Sequence, residues 1–140
     1  MEILSVTLCD AAADYQGKLC ILGAFDSIYA AQFPCVHPAC SVAIRILLRD
    51  EDVGAHTVGI VFINPDGQPL IPIENLPVFN FQVQPMPAHV FFASQNFVLN
   101  WHGLQAQEPG QYEIRISVDG EIARTIPFQF VQVQPNLGHA

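Results

Sequence analysis

The most chemically suggestive segment of the sequence is Cys35-Val36-His37-Pro38-Ala39-Cys40. Thiolates and imidazoles are ligands for zinc and copper, and a structural zinc site needs four of them. Cys35, His37 and Cys40 supply three, and Cys9 or Cys20 would supply a fourth. No second cysteine pair of zinc-site spacing follows, and free cysteine often behaves as a small hydrophobic residue. We therefore expect no metal and no cofactor, and keep a small-ligand or metal site at Cys35, His37 and Cys40 as an alternative.

The same segment also permits a hypothesis of nucleophilic catalysis. Cys35, His37 and Asp26 would provide a thiol, a base and an orienting carboxylate. Such groups must lie within hydrogen-bond reach of one another, and an extended chain gives them no built-in geometry for it. The sequence contains no Gly-x-Ser-x-Gly elbow, no His-Glu-x-x-His pair and no phosphate-binding glycine loop. We predict that the protein is not an enzyme, and a cysteine-dependent enzyme is the least favoured alternative.

The charge balance excludes two classes of partner. Five Lys and Arg against 13 Asp and Glu give a formal net charge of -8 and a pI near 4.7. Phosphate groups are bound by clustered Lys and Arg, so we expect neither nucleic acid nor an anionic membrane as a partner. The acidic run Asp50-Glu51-Asp52 predicts a solvated turn in preference to a calcium site, which would need about six ordered oxygen ligands.

The high apolar content raises the question of a membrane span. Mean hydropathy is +0.31, and residues 27–44 and 75–107 carry no formal charge. Prolines and polar side chains interrupt both segments, so neither provides the roughly 20 apolar residues of a spanning helix. Glu2 and Asp10 interrupt the N-terminal apolar run, and we therefore expect no secretory signal. These features predict a cytoplasmic protein whose four cysteines remain reduced.

Alternation of apolar and polar residues dominates the chain and predicts strands in place of helices. Turn signals such as Asn64-Pro65-Asp66-Gly67 separate the alternating runs. The predicted strands cover residues 3–9, 18–29, 41–49, 57–63, 78–84, 96–102, 111–118 and 121–133. This spacing indicates an all-β, antiparallel sandwich or barrel. We expect one domain over residues 1–133 and a flexible tail at residues 134–140.

The C-terminal part carries a more specific pattern. Glu108-Pro109-Gly110-Gln111-Tyr112 has the acid-x-Gly-x-Tyr spacing of a tyrosine corner, and Asp119-Gly120 is a strong hairpin signal. This segment resembles the last hairpin of filamin-type and other immunoglobulin-like repeats. The resemblance implies an antiparallel immunoglobulin-like β-sandwich of about eight strands. It further implies that Tyr112 bonds to the upstream backbone and that Asp119 and Gly120 turn the final hairpin.

A second resemblance spans nearly the whole chain. It rests on Cys9-Asp10, on the run from Gly17 to Tyr29, on Phe33-Pro34 and on Trp101. These residues resemble an uncharacterised bacterial domain-of-unknown-function family. The resemblance implies a bacterial origin and a β fold, and it implies no chemistry.

The charge-free segment at residues 75–107 points to an interaction surface. Uncharged polar and apolar side chains lose less on desolvation than ammonium or carboxylate groups, and interface cores are depleted of charge. We therefore predict a non-catalytic interaction or scaffold module that binds protein, either itself or another chain. A homo-oligomer is favoured because symmetric assemblies are the commonest. The candidate interaction residues are Val78, Asn80, Phe91, Phe92, Val98, Asn100 and His102.

Overall fold

Strands account for the regular structure of the chain. The computed structural model describes residues 1–134, and these contain nine strands, two short 3₁₀ turns and no α-helix. The 3₁₀ turns lie at Asp50–Asp52 and Ile73–Asn75. The strands are β1 (Glu2–Tyr15), β2 (Lys18–Ala24), β3 (Ser27–Ala30), β4 (Cys35–Leu48), β5 (Gly54–Ile63), β6 (Val78–Val83), β7 (Ala93–Ala106), β8 (Gly110–Val118) and β9 (Glu121–Gln132).

The strands form two sheets. The first has the order β2-β1-β4-β7 and is antiparallel throughout. The second has the order β3-β9-β8-β5-β6, and in it β3 runs parallel to β9 while the other pairs are antiparallel. The expectation of an all-β fold is confirmed. The expectation of purely antiparallel pairing is wrong for β3, and nine strands replace the expected eight.

The extra strand arises because the predicted strand at residues 18–29 is divided between the sheets. Phe25 N still donates to Leu8 O of β1 at 2.9 Å, whereas Asp26 O accepts from Gln129 N of β9 at 2.9 Å. The chain therefore changes sheets between two adjacent residues. Gly23, at φ +70°, lies just before this change, and Ala24 after it still pairs with Cys9 of β1. The alternation of apolar and polar residues continues through the point where the chain changes sheets. The sequence pattern therefore predicted one strand where the structure has β2 and β3.

The N-terminal hairpin also extends beyond the prediction. Residues 11–15 of β1 pair with β2, where Ala13 faces Cys20 and Cys9 faces Ala24. Cys9 and Cys20 therefore do not face each other across the hairpin. Arg45 Nη1 donates to Gly17 O at 3.0 Å, which holds the hairpin turn against the four-stranded sheet.

The core lies between the two sheets and follows the predicted alternation. β5 buries every second residue from Val58 to Phe62, whereas β4 is buried on both faces over residues 41–48 except at Arg45. Tyr112, Phe128 and Phe130 add the largest aromatic group of the core. Burial of apolar surface on this scale is the main stabilising contribution to folding.

Two further expectations concern the chain ends and membranes. The flexible tail was expected at residues 134–140, and residues 135–140 lie outside the described residues. Within residues 1–134, no helix has the length and apolar character needed to cross a membrane.

Candidate interaction surface

The charge-free residues 75–107 form one lateral side of the two-sheet structure. They include β6, the loop at residues 84–92 and β7. β6 is the last strand of the five-stranded sheet, and β7 is the last strand of the four-stranded sheet. We call this part of the molecule the uncharged side. Its two strands are both sheet edges, and within the described chain each pairs on one flank only.

Aromatic side chains hold the two edge strands together from the inside. The rings of Phe79 and Phe97 lie 5.5 Å apart, and those of Phe81 and Phe97 lie 5.0 Å apart in an edge-to-face arrangement. Such pairs are stabilising beyond the area that they bury. The inward positions of β6 and β7 are therefore occupied by core packing, and the outward positions are left for other contacts.

The structure does not bring the seven predicted interaction residues to one face. Val78 and Asn80 are exposed on β6, whereas Val98 is half-buried and Asn100 and His102 are exposed on β7. Because the inward side chains of both strands meet between the sheets, the outward ones project from opposite outer faces. The two groups share the lateral side of the molecule and do not form one continuous patch.

Phe91 and Phe92 lie in the loop directly before β7 and are 85% and 54% exposed. The loop that carries them is tied to the 3₁₀ turn at Asp50–Asp52, because Met86 N donates to Asp50 Oδ1 at 2.8 Å. Within the loop, Val90 N donates to Pro87 O at 3.1 Å. The two aromatic rings are therefore held near the surface by an ordered segment. Exposed aromatic residues of this kind often provide much of the binding energy of an interface.

On β7, one predicted residue already has a partner inside the chain. Asn100 Oδ1 accepts a hydrogen bond from Ser41 Oγ of β4 at 2.7 Å. This bond orients the amide, and the amide nitrogen remains a donor for further contacts. The middle of β7 therefore presents a fixed polar group between Val98 and His102.

Cys35, His37 and Cys40 do not assemble into a metal site. They pair with different residues of β7, namely Ala106, Leu104 and Trp101. In residues 1–134, no group of three or more His, Cys, Asp and Glu side chains lies close enough to hold a metal ion. Burial raises the pKa of the Cys35 thiol and raises that of Cys40 to about 11. A raised pKa lowers the thiolate fraction, which is the opposite of what a nucleophile requires.

His37 nevertheless has an unusual environment. It lines a cleft of about 380 Å³ together with Asp10, Phe25 and Tyr29. Its ring lies 5.6 Å from that of Phe25, and its buried Nε2 has no hydrogen-bond partner within the described residues. A buried polar atom without a partner costs free energy, and the burial of this nitrogen keeps it out of contact with the open cleft.

Sequence reasoning missed a histidine–carboxylate pair between β5 and the last hairpin. His56 Nδ1 lies 2.7 Å from Asp119 Oδ2, and His56 Nε2 lies 2.6 Å from Asp52 O. Both neighbours are acceptors, so both ring nitrogens must carry protons to be satisfied. The hydrogen bond to Asp119 raises the pKa of His56, and the hydrogen bond from His56 lowers the pKa of Asp119. With both nitrogens engaged, His56 has no free nitrogen to act as a general base.

Asp119 also fixes the final turn to the neighbouring strand. Asp119 and Gly120 have positive φ angles of 52° and 85° and connect β8 to β9. Asp119 Oδ1 accepts from Thr57 N at 2.9 Å, and Asp119 N donates to Thr57 O at 2.9 Å. His56 and Asp119 are far apart in the sequence, and only the pairing of β5 with β8 brings them together. No local motif signals this contact.

Comparison with protein families gives a match over residues 4–131 to a family of unknown function, DUF6941. The chain belongs to this family. The family description carries no activity, in agreement with the resemblance to an uncharacterised family. No curated protein matches the chain in sequence.

Solved structures show likeness at the level of the fold. A β-glucosidase from Listeria innocua in complex with isofagomine matches with a TM-score of 0.50 and 8% identity, over 92% of this chain and 16% of that chain. The same enzyme in complex with glucose gives a TM-score of 0.50 and 8% identity, over 93% and 16%. A Pseudomonas fluorescens alkylpurine DNA glycosylase, AlkC, matches with a TM-score of 0.36 and 11% identity, over 91% and 30%. The DUF6941 chain thus corresponds to a small part of each enzyme.

Proposed function

We propose that this DUF6941 protein is a non-catalytic immunoglobulin-like module that binds protein through its uncharged side. The observation that carries the proposal is the coincidence of three features there. The segment has no formal charge in a chain of net charge -8, it contains two edge strands that pair on one flank only within residues 1–134, and it exposes Phe91. A long open edge such as that of β7 and an exposed aromatic side chain are liabilities unless a partner covers them.

The strand order supports the immunoglobulin-like part of the proposal. In immunoglobulin domains the B and E strands lie in one sheet, and the G, F and C strands lie in the other. Here β4 and β7 take the places of B and E, and β9, β8 and β5 take those of G, F and C. Tyr112 stands near the start of β8 and donates to Glu108 O at 2.6 Å, as the tyrosine corner of strand F does.

Electrostatics supports the choice of this side of the molecule. With net charge -8, two copies or two acidic proteins repel each other through most of their surfaces. Residues 75–107 contribute no carboxylate to such a contact and no ammonium group that must lose its water. The carboxylates of Asp14 and Asp50 border this side, and each accepts a hydrogen bond from it, from Asn96 Nδ2 at 3.0 Å and from Met86 N at 2.8 Å. A complex formed there therefore avoids the largest desolvation costs of association.

Charge insertion tests the proposal. We expect Phe91→Asp and Val98→Asp to weaken association, measured by sedimentation velocity of the purified protein and by affinity capture from host lysate. Ile122→Asp is the matched control, because Ile122 is 63% exposed on β9, outside the uncharged side. The proposal is overturned if the parent neither self-associates nor captures a protein. It is equally overturned if all three variants behave alike.

We further propose a bacterial cytoplasmic setting and a homo-oligomeric state. All four cysteines are free, Cys20 is exposed and Cys35 is half-buried, which suits a compartment that keeps thiols reduced. A mass measurement of protein from its native host tests this, because disulfide-linked cysteines would contradict the reducing compartment.

A second candidate function is binding of a small ligand in the cleft beside His37. The cleft that His37 lines with Asp10 and Tyr29 favours it, and its volume of about 380 Å³ is within the range of small-molecule sites. Titration with small carboxylic acids and small amines, followed by NMR shifts of the His37 ring, tests the idea. Binding should be lost in His37→Phe and retained in His89→Phe. Unchanged His37 signals with every probe would rule it out.

A further inference from the structure

Four strands form the edges of the two sheets, and they differ in how well they are protected. β3 has 4 residues, and β6 has 6 residues and is flanked by Pro77 and Pro85. β2 has 7 residues and begins with Lys18. Short strands, prolines and edge lysines all hinder pairing with a further strand. β7 has 14 residues and contains neither a proline nor a charged residue.

β7 is paired along its whole length on one flank only. Its ladder with β4 runs from the pair Leu48 and Ala93 to the pair Cys35 and Ala106. On the other flank, no strand of residues 1–134 pairs with it, and no further backbone hydrogen bond to a loop is present in that range. The second flank therefore offers a row of backbone donors and acceptors over an unusually long edge.

We propose that β7 pairs antiparallel with β7 of a second copy of this chain, so that two four-stranded sheets become one continuous sheet. The inference rests on the proposed function, since it assigns the occupant of the uncharged side. A second copy fits this edge, because β7 places no charged residue opposite its own image and the pairing therefore brings no like charges together along the strand. Antiparallel pairing of identical strands is two-fold symmetric, so the dimer is closed and leaves no copy of this edge open for further growth.

Symmetry restricts the register of this pairing. Antiparallel neighbours in a sheet are related by a two-fold axis perpendicular to it, and paired residues direct their side chains to the same face. Outward residues must then pair with outward residues, which requires the axis to pass through a residue position. With the axis at Asn100, Asn100 faces its own copy and Val98 faces His102 of the other copy. The alternation of β7 changes at Gly103, where φ is +75°, and Leu104 and Ala106 beyond it are buried, so the matched pairing covers residues 97–103. Aliphatic and uncharged polar pairs of this kind are compatible with cross-strand contact.

Single-cysteine cross-linking measures that register. Val98→Cys, Asn100→Cys and His102→Cys are each made in a Cys20→Ser background, which removes the exposed native thiol. Directly opposite side chains have Cβ atoms about 5 Å apart, close enough for disulfide formation under mild oxidation. We expect disulfide-linked dimer at position 100 and little at positions 98 and 102. If the yield of disulfide-linked dimer is highest at position 98 or at position 102 instead, the result still supports antiparallel pairing, with the two-fold axis at that residue. Equal yields at all three, or no dimer at any, overturn it.

A charge series separates this inference from the proposed function. Val98→Lys should raise the dimer dissociation constant about tenfold or more in sedimentation equilibrium, because a lysine on an edge strand hinders its pairing with a further strand. Val78→Lys, on the other uncharged edge, and Ile122→Lys, on β9, should leave it unchanged. If Val78→Lys or Phe91→Asp weakens association while Val98→Lys does not, strand pairing through β7 is refuted and the uncharged side remains the interface. A monomeric parent refutes the pairing, and the proposed function then depends on capture of another protein that Phe91→Asp abolishes.

Discussion

Replacing Tyr112 with phenylalanine removes one hydroxyl from the core and leaves the ring in place. The residue is 1% exposed, and its hydroxyl donates to Glu108 O at 2.6 Å. The ring contacts with Phe128 and Phe130, at 5.5 and 4.9 Å, do not involve the hydroxyl and should persist. The free energy of unfolding should therefore fall by about 1 kcal/mol, the net value of one intramolecular hydrogen bond. Glu108 is exposed, so water can reach its carbonyl and the loss should not approach the cost of a fully buried unsatisfied group.

Two companion variants separate the hydrogen bond from the packing. Tyr112→Ala removes both the bond and the aromatic contacts, and should cost about 3–5 kcal/mol. Tyr29→Phe removes a hydroxyl from a side chain that is 66% exposed, and should change stability by less than about 0.5 kcal/mol. The comparison of these three variants isolates the contribution of the corner.

Urea unfolding followed by fluorescence provides the measurement. A lower midpoint with an unchanged m-value indicates a change in stability without a change in the surface exposed on unfolding. If Tyr112→Phe is as stable as the parent, the corner bond contributes nothing net and the reasoning is refuted. If it is as unstable as Tyr112→Ala, the hydroxyl is not the cause and the ring must have moved.

Three further changes test other parts of the fold. His56→Gln should lower the free energy of unfolding most at acid pH. The hydrogen bond to Asp119 raises the pKa of His56 in the folded state, so the stabilisation from this contact is complete below the unfolded pKa of about 6.5. It is lost as pH rises through the folded-state pKa. Urea midpoints measured across that pH range check this. A thiol reagent should modify exposed Cys20 well before buried Cys40, whose pKa is raised to about 11, and mass spectrometry of timed samples follows the order. Gly23→Ala should lower the free energy of unfolding by about 1–3 kcal/mol, because φ at this position is +70° and an added Cβ would lie 2.5 Å from Asp10 Oδ2.

Each of these changes has an internal control. His89→Gln makes the same substitution at an exposed histidine outside this contact and is the matched control. Gly67→Ala also imposes an alanine at positive φ, +82°, but meets no atom within 4 Å, so it separates backbone strain from the clash at Gly23. Equal losses in the two glycine variants would assign the whole effect to backbone strain. Equal labelling rates for Cys20 and Cys40 would contradict the burial of the Cys40 thiol.

The sequence predicted strands well wherever one face is buried and the other is solvated. In β5 and β8 the alternation places Ile60 and Ile114 inside, and each is buried in the structure, whereas β4 is buried on both faces around Ala43 and Ile44. Alternation is a local signal, so it identifies strands without identifying their neighbours. The parallel pairing of β3 with β9 joins segments from opposite ends of the chain, and no local pattern encodes it.

Contacts between distant segments were the part that sequence reasoning could not reach. The sequence gives no local sign of a role for His56, because its partner Asp119 follows it by 63 positions. Cys35, His37 and Cys40 looked like a cluster because they are close in sequence, yet each pairs with a different residue of β7. Closeness in sequence therefore suggested a site at Cys35, His37 and Cys40 and gave no sign of the contact between His56 and Asp119. In both cases the strand register determines which residues meet.

The uncharged side also shows that a sequence feature can be interpreted only when the sheet order is known. The sequence shows directly that residues 75–107 contain no charged residue. Whether this indicates an interaction surface depends on where the strands of this segment lie in the sheets. In an interior strand, an uncharged run is ordinary, because both flanks are paired and at least one face is buried. β6 and β7 are both edges, and only the sheet order reveals this. Since the outward side chains of the two strands project from opposite faces, a partner that engages both strands must contact the lateral side itself. On that side β7 offers the longer edge, with neither a lysine nor a proline to prevent pairing, and backbone pairing is therefore the contact that this geometry favours.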